Sequence, residues 1–288
     1  MASRREIRRR IRSIKNTAQI TKAMQTVAAS RMRRAQQRVS ATRPYAQHIR
    51  AIVADVAGKA GAENHPLLAK RDISNVEILM ISPDRGLAGA MVTNIKRETS
   101  RLITAQQHPV RVIAVGRKGR DFVTRSHLDL IAEFTQLGDH PGADAVGPIA
   151  RQLLDDFENG QADLVYLVYT QFVSTLRQHP QVVQLLPVVP PGGEEGEGTS
   201  APWNYEPDNP QAVLSSLLPR YIEFTIYQAL LESIASFYSA QMIAMSNATD
   251  NANELVDELT LLMNKARQAE ITKEIAEISG AAEAIRTG

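Results

Sequence analysis

The chain has no cysteine, a single tryptophan and few aromatic residues of any kind. Without thiols it can hold no structural disulfide, no thiolate metal site, no thiol nucleophile and no thiol redox switch of its own. Its six histidines are scattered. None stands at HExxH or another metal-ligand spacing, and none has a nucleophile beside it, which speaks against a metal centre or a histidine-based catalytic pair. No run approaches the roughly 18 consecutive apolar residues that a membrane-spanning helix needs. The first residues include arginines but no apolar stretch leading to a cleavage site, so they are not a secretory signal. A periodic pattern runs on well past the length of a removable leader, and the start reads as mature protein.

What is present suffices for a core: 43% of the 288 residues are apolar, enough for one large domain or two modest ones. The net charge of +2 conceals an asymmetry. Residues 1–50 carry 14 Lys or Arg against one acid, Glu6, whereas the other 238 residues hold 19 basic and 30 acidic ones. A basic arm on an acidic body implies an acidic partner surface, a nucleic acid or anionic lipid.

Two segments have helical periodicity over unusual lengths. In residues 1–58 the positions Ile7, Ile11, Ile14, Ala18, Thr21, Met24, Ala28, Met32, Ala35 and Val39 recur at spacings of three and four, a narrow stripe of small and medium side chains suited to a coiled-coil seam. Pro44 is its one interruption, and a kink is expected near it. In residues 211–286, after Pro207-Asp208-Asn209-Pro210, a second face runs through Leu214, Leu217, Tyr221, Leu231, Ile234, Tyr238, Met242 and Met245. It continues through Ala252, Leu255, Leu259, Met263, Ala266, Ile271, Ile275 and Ile278. Average helices have about a dozen residues, so two such segments cannot fit within a compact domain of this mass. The expectation is that they pack antiparallel and protrude.

Residues 74–206 read differently. Short apolar runs at 76–81, 110–115, 128–134, 163–170 and 182–188 alternate with helical stretches near 88–106, 118–124 and 149–157. That order predicts an α/β domain with a largely parallel, Rossmann-like sheet. Gly192 to Gly198 reads as an exposed acidic loop, with Trp203 and Tyr205 available to anchor its end.

Several candidates for chemistry have blander readings. Asp84-Arg85-Gly86-Leu87-Ala88-Gly89 follows the first strand, where such folds bind phosphate. Its glycines are spaced GxxG rather than GxGxxG and Asp84 would repel phosphate, so a structural turn is the better reading. Gly116-Arg117-Lys118-Gly119-Arg120 is not a GxxxxGK[ST] loop and reads as a solvated turn. The arginines at 4, 5, 8, 9, 10 and 12 could contact a phosphate backbone, yet no aromatic residue for base stacking precedes Tyr45. Three classes remain open at this point: a coiled coil within an acidic protein partner, a nucleic-acid-binding coiled coil, and an α/β enzyme with a helical arm.

The residues also carry a family pattern. Ile7-Arg8-Arg9-Arg10-Ile11-Arg12-Ser13-Ile14-Lys15-Asn16-Thr17, then Ile20-Thr21-Lys22-Ala23-Met24 and Val27-Ala28-Ala29-Ser30, resemble the N-terminal helix of gamma subunits of F-type ATP synthases. The Asp84-Arg85-Gly86-Leu87 turn resembles that family's turn, with Ala88 where the family often has cysteine. Glu232, Ala235, Ser236, Met242, Ala244-Met245 and Ala248-Thr249-Asp250-Asn251-Ala252 are similar to its C-terminal helix. Asn264-Lys265-Ala266-Arg267-Gln268, Ile271-Thr272-Lys273-Glu274-Ile275 and Gly280-Ala281 complete the resemblance. Gln241 and Ser246 depart from it, each standing where a basic residue is frequent.

The resemblance implies a long antiparallel coiled coil of the terminal helices plus a central Rossmann-like α/β domain. It implies the central rotor shaft of a rotary ATP synthase, non-catalytic and without a cofactor, coupling proton- or sodium-driven rotation to ATP synthesis or hydrolysis at beta subunits. The implied partners are three alpha and three beta subunits, epsilon and the membrane c-ring, with one copy of this chain per complex and no nucleic acid. The absence of a chloroplast-type cysteine insertion implies a bacterial enzyme, peripheral on the cytoplasmic side of the plasma membrane. Lys22, Met24, Asp84, Arg85, Gln241, Gln268, Thr272 and Glu274 are the implied partner-contact residues. Lys22 and Met24 are expected near a moving acidic beta-subunit segment, and Gln268 and Thr272 on a beta-subunit loop.

Overall fold

The computed structural model describes residues 4–60, 65–190 and 210–287. The acidic stretch Gly192 to Gly198, Trp203, Tyr205 and residues 207–209 lie outside the described residues. Two helices dominate: α1 (Arg4–Ala60, 57 residues) and α5 (Pro210–Thr287, 78 residues). α1 continues as helix through Pro44. The amide missing there would have bonded the carbonyl of Ser40, which lies at an exposed position where water can serve instead.

Two compact units can be separated, residues 1–28 with 242–288, and residues 29–241. In the first, α1 and α5 run antiparallel: Arg4 Nη1 lies 3.3 Å from Glu270 Oε2, and Thr21 Oγ1 lies 2.7 Å from Thr249 Oγ1. Ile7, Ala18, Thr21 and Ala28 of the stripe are buried, as are Met245, Ala252 and Val256 opposite. The small side chains allow close helix approach. The Thr21–Thr249 pair is the polar exception in this apolar seam. Each hydroxyl is also placed to donate to a carbonyl of its own helix turn, Thr21 to Ala18 at 3.1 Å and Thr249 to Met245 at 2.8 Å. A buried polar pair penalises any slipped alignment, which would leave a hydroxyl unpaired.

The second unit is built on a five-stranded sheet. Its strands are β1 (Val76–Ile81), β2 (Val110–Val115), β3 (Asp129–Phe134), β4 (Leu164–Phe172) and β5 (Gln178–Leu186). The helices between them are α2 (Met91–Ala105), α3 (Arg117–Arg125) and α4 (Gly147–Glu158), the last preceded by a 3₁₀ turn at Ala143–Val146. The order is β3-β2-β1-β4-β5, with β1 parallel to β2 and β4, β2 parallel to β3, and β5 antiparallel to β4. Strand order therefore reverses between β1 and β4.

Every residue of β1 is buried, because both faces of the sheet are covered. Val76, Ile78 and Met80 pack with Ile95 of α2 and Val123 of α3. Leu79 and Ile81 face Leu153 and Phe157 of α4, Val53 and Val56 of α1, and Leu218, Ile222 and Ile226 of α5. β5 begins four residues before the expected Val182. Pro180 pairs opposite Thr170, which an edge strand tolerates because one side of it needs no amide donors.

The stretch Gly116 to Arg120 is not a solvated turn. It opens α3 and packs against the end of β1, with Gly119 buried. Gly116 has φ +86°, and a side chain there would collide with the Ser82 carbonyl oxygen. At Gly119 an added Cβ would lie 2.7 Å from Ser82 Oγ.

Candidate functional site

The Asp84 turn is a structural staple. Gly119 N–H donates to Ser82 Oγ at 2.6 Å, Lys118 N–H to the Pro83 carbonyl at 3.1 Å, and Arg117 N–H to Asp84 Oδ1 at 2.9 Å. Asp84 Oδ2 takes a further bond from the Gln136 amide at 3.1 Å, tying the ends of β1, β2 and β3 together. The amides at the start of α3 are thus spent within the chain, and the carboxylate occupies the place a phosphate would take. Arg85 is exposed beside it. Leu87 next in the turn has φ 64° and is 63% exposed, an apolar side chain held outward in a conformation unfavourable for leucine.

Behind this turn, Arg31 of α1 bridges to the loop after β3 and to α5. Its Nη1 lies 2.7 Å from Asp139 Oδ2 and 3.2 Å from the Tyr238 hydroxyl. The Tyr238 hydroxyl and then Asp139 hold the guanidinium even more firmly protonated than usual, while burial raises the Tyr238 pKa. A serine ladder fastens α5 to the far strands. Thr170 N–H donates to Ser233 Oγ, Ser236 Oγ donates to the Thr170 carbonyl, and Ser239 Oγ donates to the Thr175 carbonyl at 2.6 Å. The spacing of three keeps these hydroxyls on one helix face. Sequence reading found Ser236 only as a family match, and Ser233 and Ser239 not at all.

Two of the buried carboxyl groups are Glu77 and Glu232; the sequence offered Glu232 as a family match and Glu77 only within an apolar run. Glu77 lies fully buried in β1 with neither oxygen hydrogen-bonded, and burial followed by repulsion from Asp156 pushes its pKa to about 8, against the pull of Arg111. Glu232 of α5 is buried as well, and burial raises its pKa despite a 3.2 Å bond from Gln228. Among the described residues no group of three or more His, Asp or Glu is placed to hold a metal.

The first unit carries a different surface. Lys22 is exposed, whereas Met24 is half-buried in the seam. Arg5, Arg8, Arg9, Arg12 and Lys15 are exposed, and none forms an ion pair among the described residues, unlike Arg4 with Glu270 and Arg10 with Glu6. Gln268, Thr272 and Glu274 are exposed, and the Thr272 hydroxyl donates back to the Gln268 carbonyl at 2.9 Å, leaving its lone pairs outward. The expected continuous seam ends early. Ile271, Ile275 and Ile278 are not packed; Ile275 is 61% and Ile278 70% exposed. Arg4 at the start of α1 already faces Glu270, so the described α1 offers these isoleucines no partner. Leu261 and Leu262 on α5, and Ile20 and Val27 on α1, are further exposed apolar residues that the periodicity did not single out. In the second unit, Gln241 is half-buried at its α5 end. The residues expected to contact partners therefore do not converge on one site: Asp84 and Arg85 belong to the sheet turn, and Lys22, Gln268, Thr272 and Glu274 to the helical pair.

A family model described as ATP synthase matches residues 3–285. A protein called ATP synthase gamma chain from Roseiflexus sp. (strain RS-1) is 49% identical over 290 residues, covering 99% of each chain. One of the same name from Dehalococcoides mccartyi (strain CBDB1) is 49% identical over 287 residues, covering 99% of this chain and 100% of that one. Among solved structures, a chain of the Euglena gracilis mitochondrial ATP synthase rotor superposes with a TM-score of 0.70 at 17% identity, covering 93% of this chain and 98% of that one. A chain from the OSCP/F1/c-ring structure of the same organism gives 0.71 at 18% identity, covering 99% and 95%. At those identities the structures show likeness of fold.

Proposed function

The chain belongs to the ATP synthase gamma-chain family, and we propose that it turns as the central shaft of a rotary ATP synthase while performing no bond chemistry itself. The observation that carries this reading is the surface of the helical unit. Ile20, Val27, Leu261, Leu262, Ile275 and Ile278 stand exposed in the unit that also carries Arg5, Arg8, Arg9, Arg12 and Lys15, cations with no ion pair among the described residues. Apolar side chains in such numbers mark a surface that another protein covers, and the cations select acidic neighbours. In this reading the basic run faces acidic subunits and not a nucleic acid.

In this role the helical unit sits within the ring of three alpha and three beta subunits. Lys22 and Met24 pass a moving acidic beta-subunit segment, and Gln268, Thr272 and Glu274 meet the collar of the head. Gln241, Asp84 and Arg85 contribute contacts from the sheet unit. An asymmetric shaft presents a different face to each catalytic beta subunit as it turns, so one rotation orders their nucleotide states. The sheet unit meets epsilon and the c-ring, whose proton- or sodium-driven rotation reaches α5 through the serine ladder and Arg31. The segments 1–58, 74–206 and 211–286 serve as two shaft strands and a coupling body. One copy works per complex, peripheral to the cytoplasmic face of a bacterial plasma membrane. No described helix is long and apolar enough to cross a membrane.

Reconstitution tests the proposal. Alpha and beta subunits mixed with this chain should yield a purified complex that hydrolyses ATP, and the isolated chain should hydrolyse none. Turnover by the isolated chain, or failure to co-purify with alpha and beta, would overturn it.

A further inference from the structure

Open α/β sheets take ligands outside the carboxyl ends of their strands, where strand order reverses. A cleft of about 260 Å³ opens at that end of this sheet, on the β1–β2–β3 side of the reversal, between the ends of those strands and the side of α5. Its walls are apolar, with Ile81 and Val115 from the strands, Phe134 and Leu137 from the end of β3, and Ile234 and Phe237 from α5. The amides that would bind phosphate are spent on Ser82, Pro83 and Asp84.

The polar groups around the mouth are spent unequally. Asp84 accepts two backbone amides, and Asp139 accepts from Arg31. Ser82 both donates and accepts, and Ser233 accepts from Thr170. Arg85 has no partner among the described residues, and Arg117 reaches Asp84 only at 3.8 Å. Apolar walls, the Arg85 guanidinium and the more loosely paired Arg117 guanidinium define the complement.

We propose that this cleft binds a small amphipathic anion, an aromatic carboxylate of one or two rings. The ring lies between Phe134 and Phe237, and the carboxylate meets Arg85 and Arg117. Arginine favours such a partner because its planar fork matches the two oxygens of a carboxylate. The cleft is smaller than the roughly 300–1,000 Å³ of drug-sized sites, which suits one or two rings better than a nucleotide. The site lies wholly within the sheet unit and binding is read in the free chain, so its test does not depend on the shaft role, in which Arg85 contacts a partner.

The probe is 2-naphthoate, titrated into the full chain and followed by backbone NMR shifts. The proposal expects saturable binding with a Kd at or below about 1 mM and shifts centred on residues 81–85, 115–117 and 134–139. Binding should weaken at least about tenfold in the Arg85→Ala, Arg117→Ala double variant, and similarly for the neutral analogue 2-naphthalenemethanol. Should the double variant melt lower than the parent, Arg85→Ala alone carries the comparison, because that side chain is exposed and supports nothing described. No saturable binding, or equal binding of the neutral analogue or by Arg85→Ala, overturns the proposal.

Discussion

Replacing Glu77 by glutamine should remove most of the pH dependence of the sheet's stability. Glu77 is a carboxyl group sealed in the central strand, beside Asp156 and without a hydrogen bond to either oxygen. Its pKa rises from 4.5 to about 8, first through burial and second through Asp156. The folded chain therefore keeps a proton that the unfolded chain releases above about pH 4.5. Stability falls as pH rises from there to about 8 and changes little beyond. One pKa unit corresponds to about 1.4 kcal/mol, so the loss between pH 5 and pH 8 is about 3–4 kcal/mol, or two to three decades in the opening equilibrium. Glutamine resembles the protonated acid in size and carries no charge at any pH, so Glu77→Gln should flatten the profile. Native-state hydrogen exchange of the β1 amides, corrected for intrinsic rates, reads this locally and needs no two-state unfolding of the whole chain. A wild-type slope retained in Glu77→Gln would refute the reasoning.

Asp84→Ala frees the amides of Arg117 and Gln136 and should cost about 1–2 kcal/mol, seen as a lower melting temperature and faster exchange at the start of α3. Ile275→Asp with Ile278→Asp should leave the free chain's stability within about 0.5 kcal/mol, since both are exposed. The same change should sharply reduce co-purification with alpha and beta, because each isoleucine loses about 1.5–3 kcal/mol of burial in the assembly. Gln268→Ala with Thr272→Ala removes contacts worth about 1 kcal/mol each and should give a complex that assembles normally but turns over ATP several-fold more slowly; wild-type turnover would make these residues ordinary solvated positions.

Regular periodicity was legible to the residue along α1, whereas on α5 the expected Leu255 is exposed and its neighbour Val256 is buried instead. All ten positions of the α1 stripe from Ile7 to Val39 are buried or half-buried, because spacings of three and four leave one helix face little choice. β1 and β2 were equally plain, as short, mainly apolar runs between turn residues suit strands covered on both sides. The sequence misled where a neighbour decides the outcome. Ile271 to Ile278 continue the pattern of a seam, but burial needs an opposing helix, and α1 begins opposite Glu270. Asp84 looked like a turn residue hostile to phosphate. Its bonds to the Arg117 and Gln136 amides join residues 33 and 52 positions away, which no local pattern encodes. Glu77 was masked by the apolar residues around it, and the serine ladder by the ordinary look of serines on a long helix.

The shaft role is tested most directly by watching the chain turn. With the alpha–beta head fixed to a surface and a bead attached to the sheet unit, ATP should drive rotation in one direction, in three steps per turn to match three catalytic beta subunits. A chemical cross-link between Lys22 and a beta subunit should stop both rotation and sustained hydrolysis, and cleaving the link should restore them. Sustained wild-type hydrolysis with the bead stationary, or with the cross-link in place, would contradict the account.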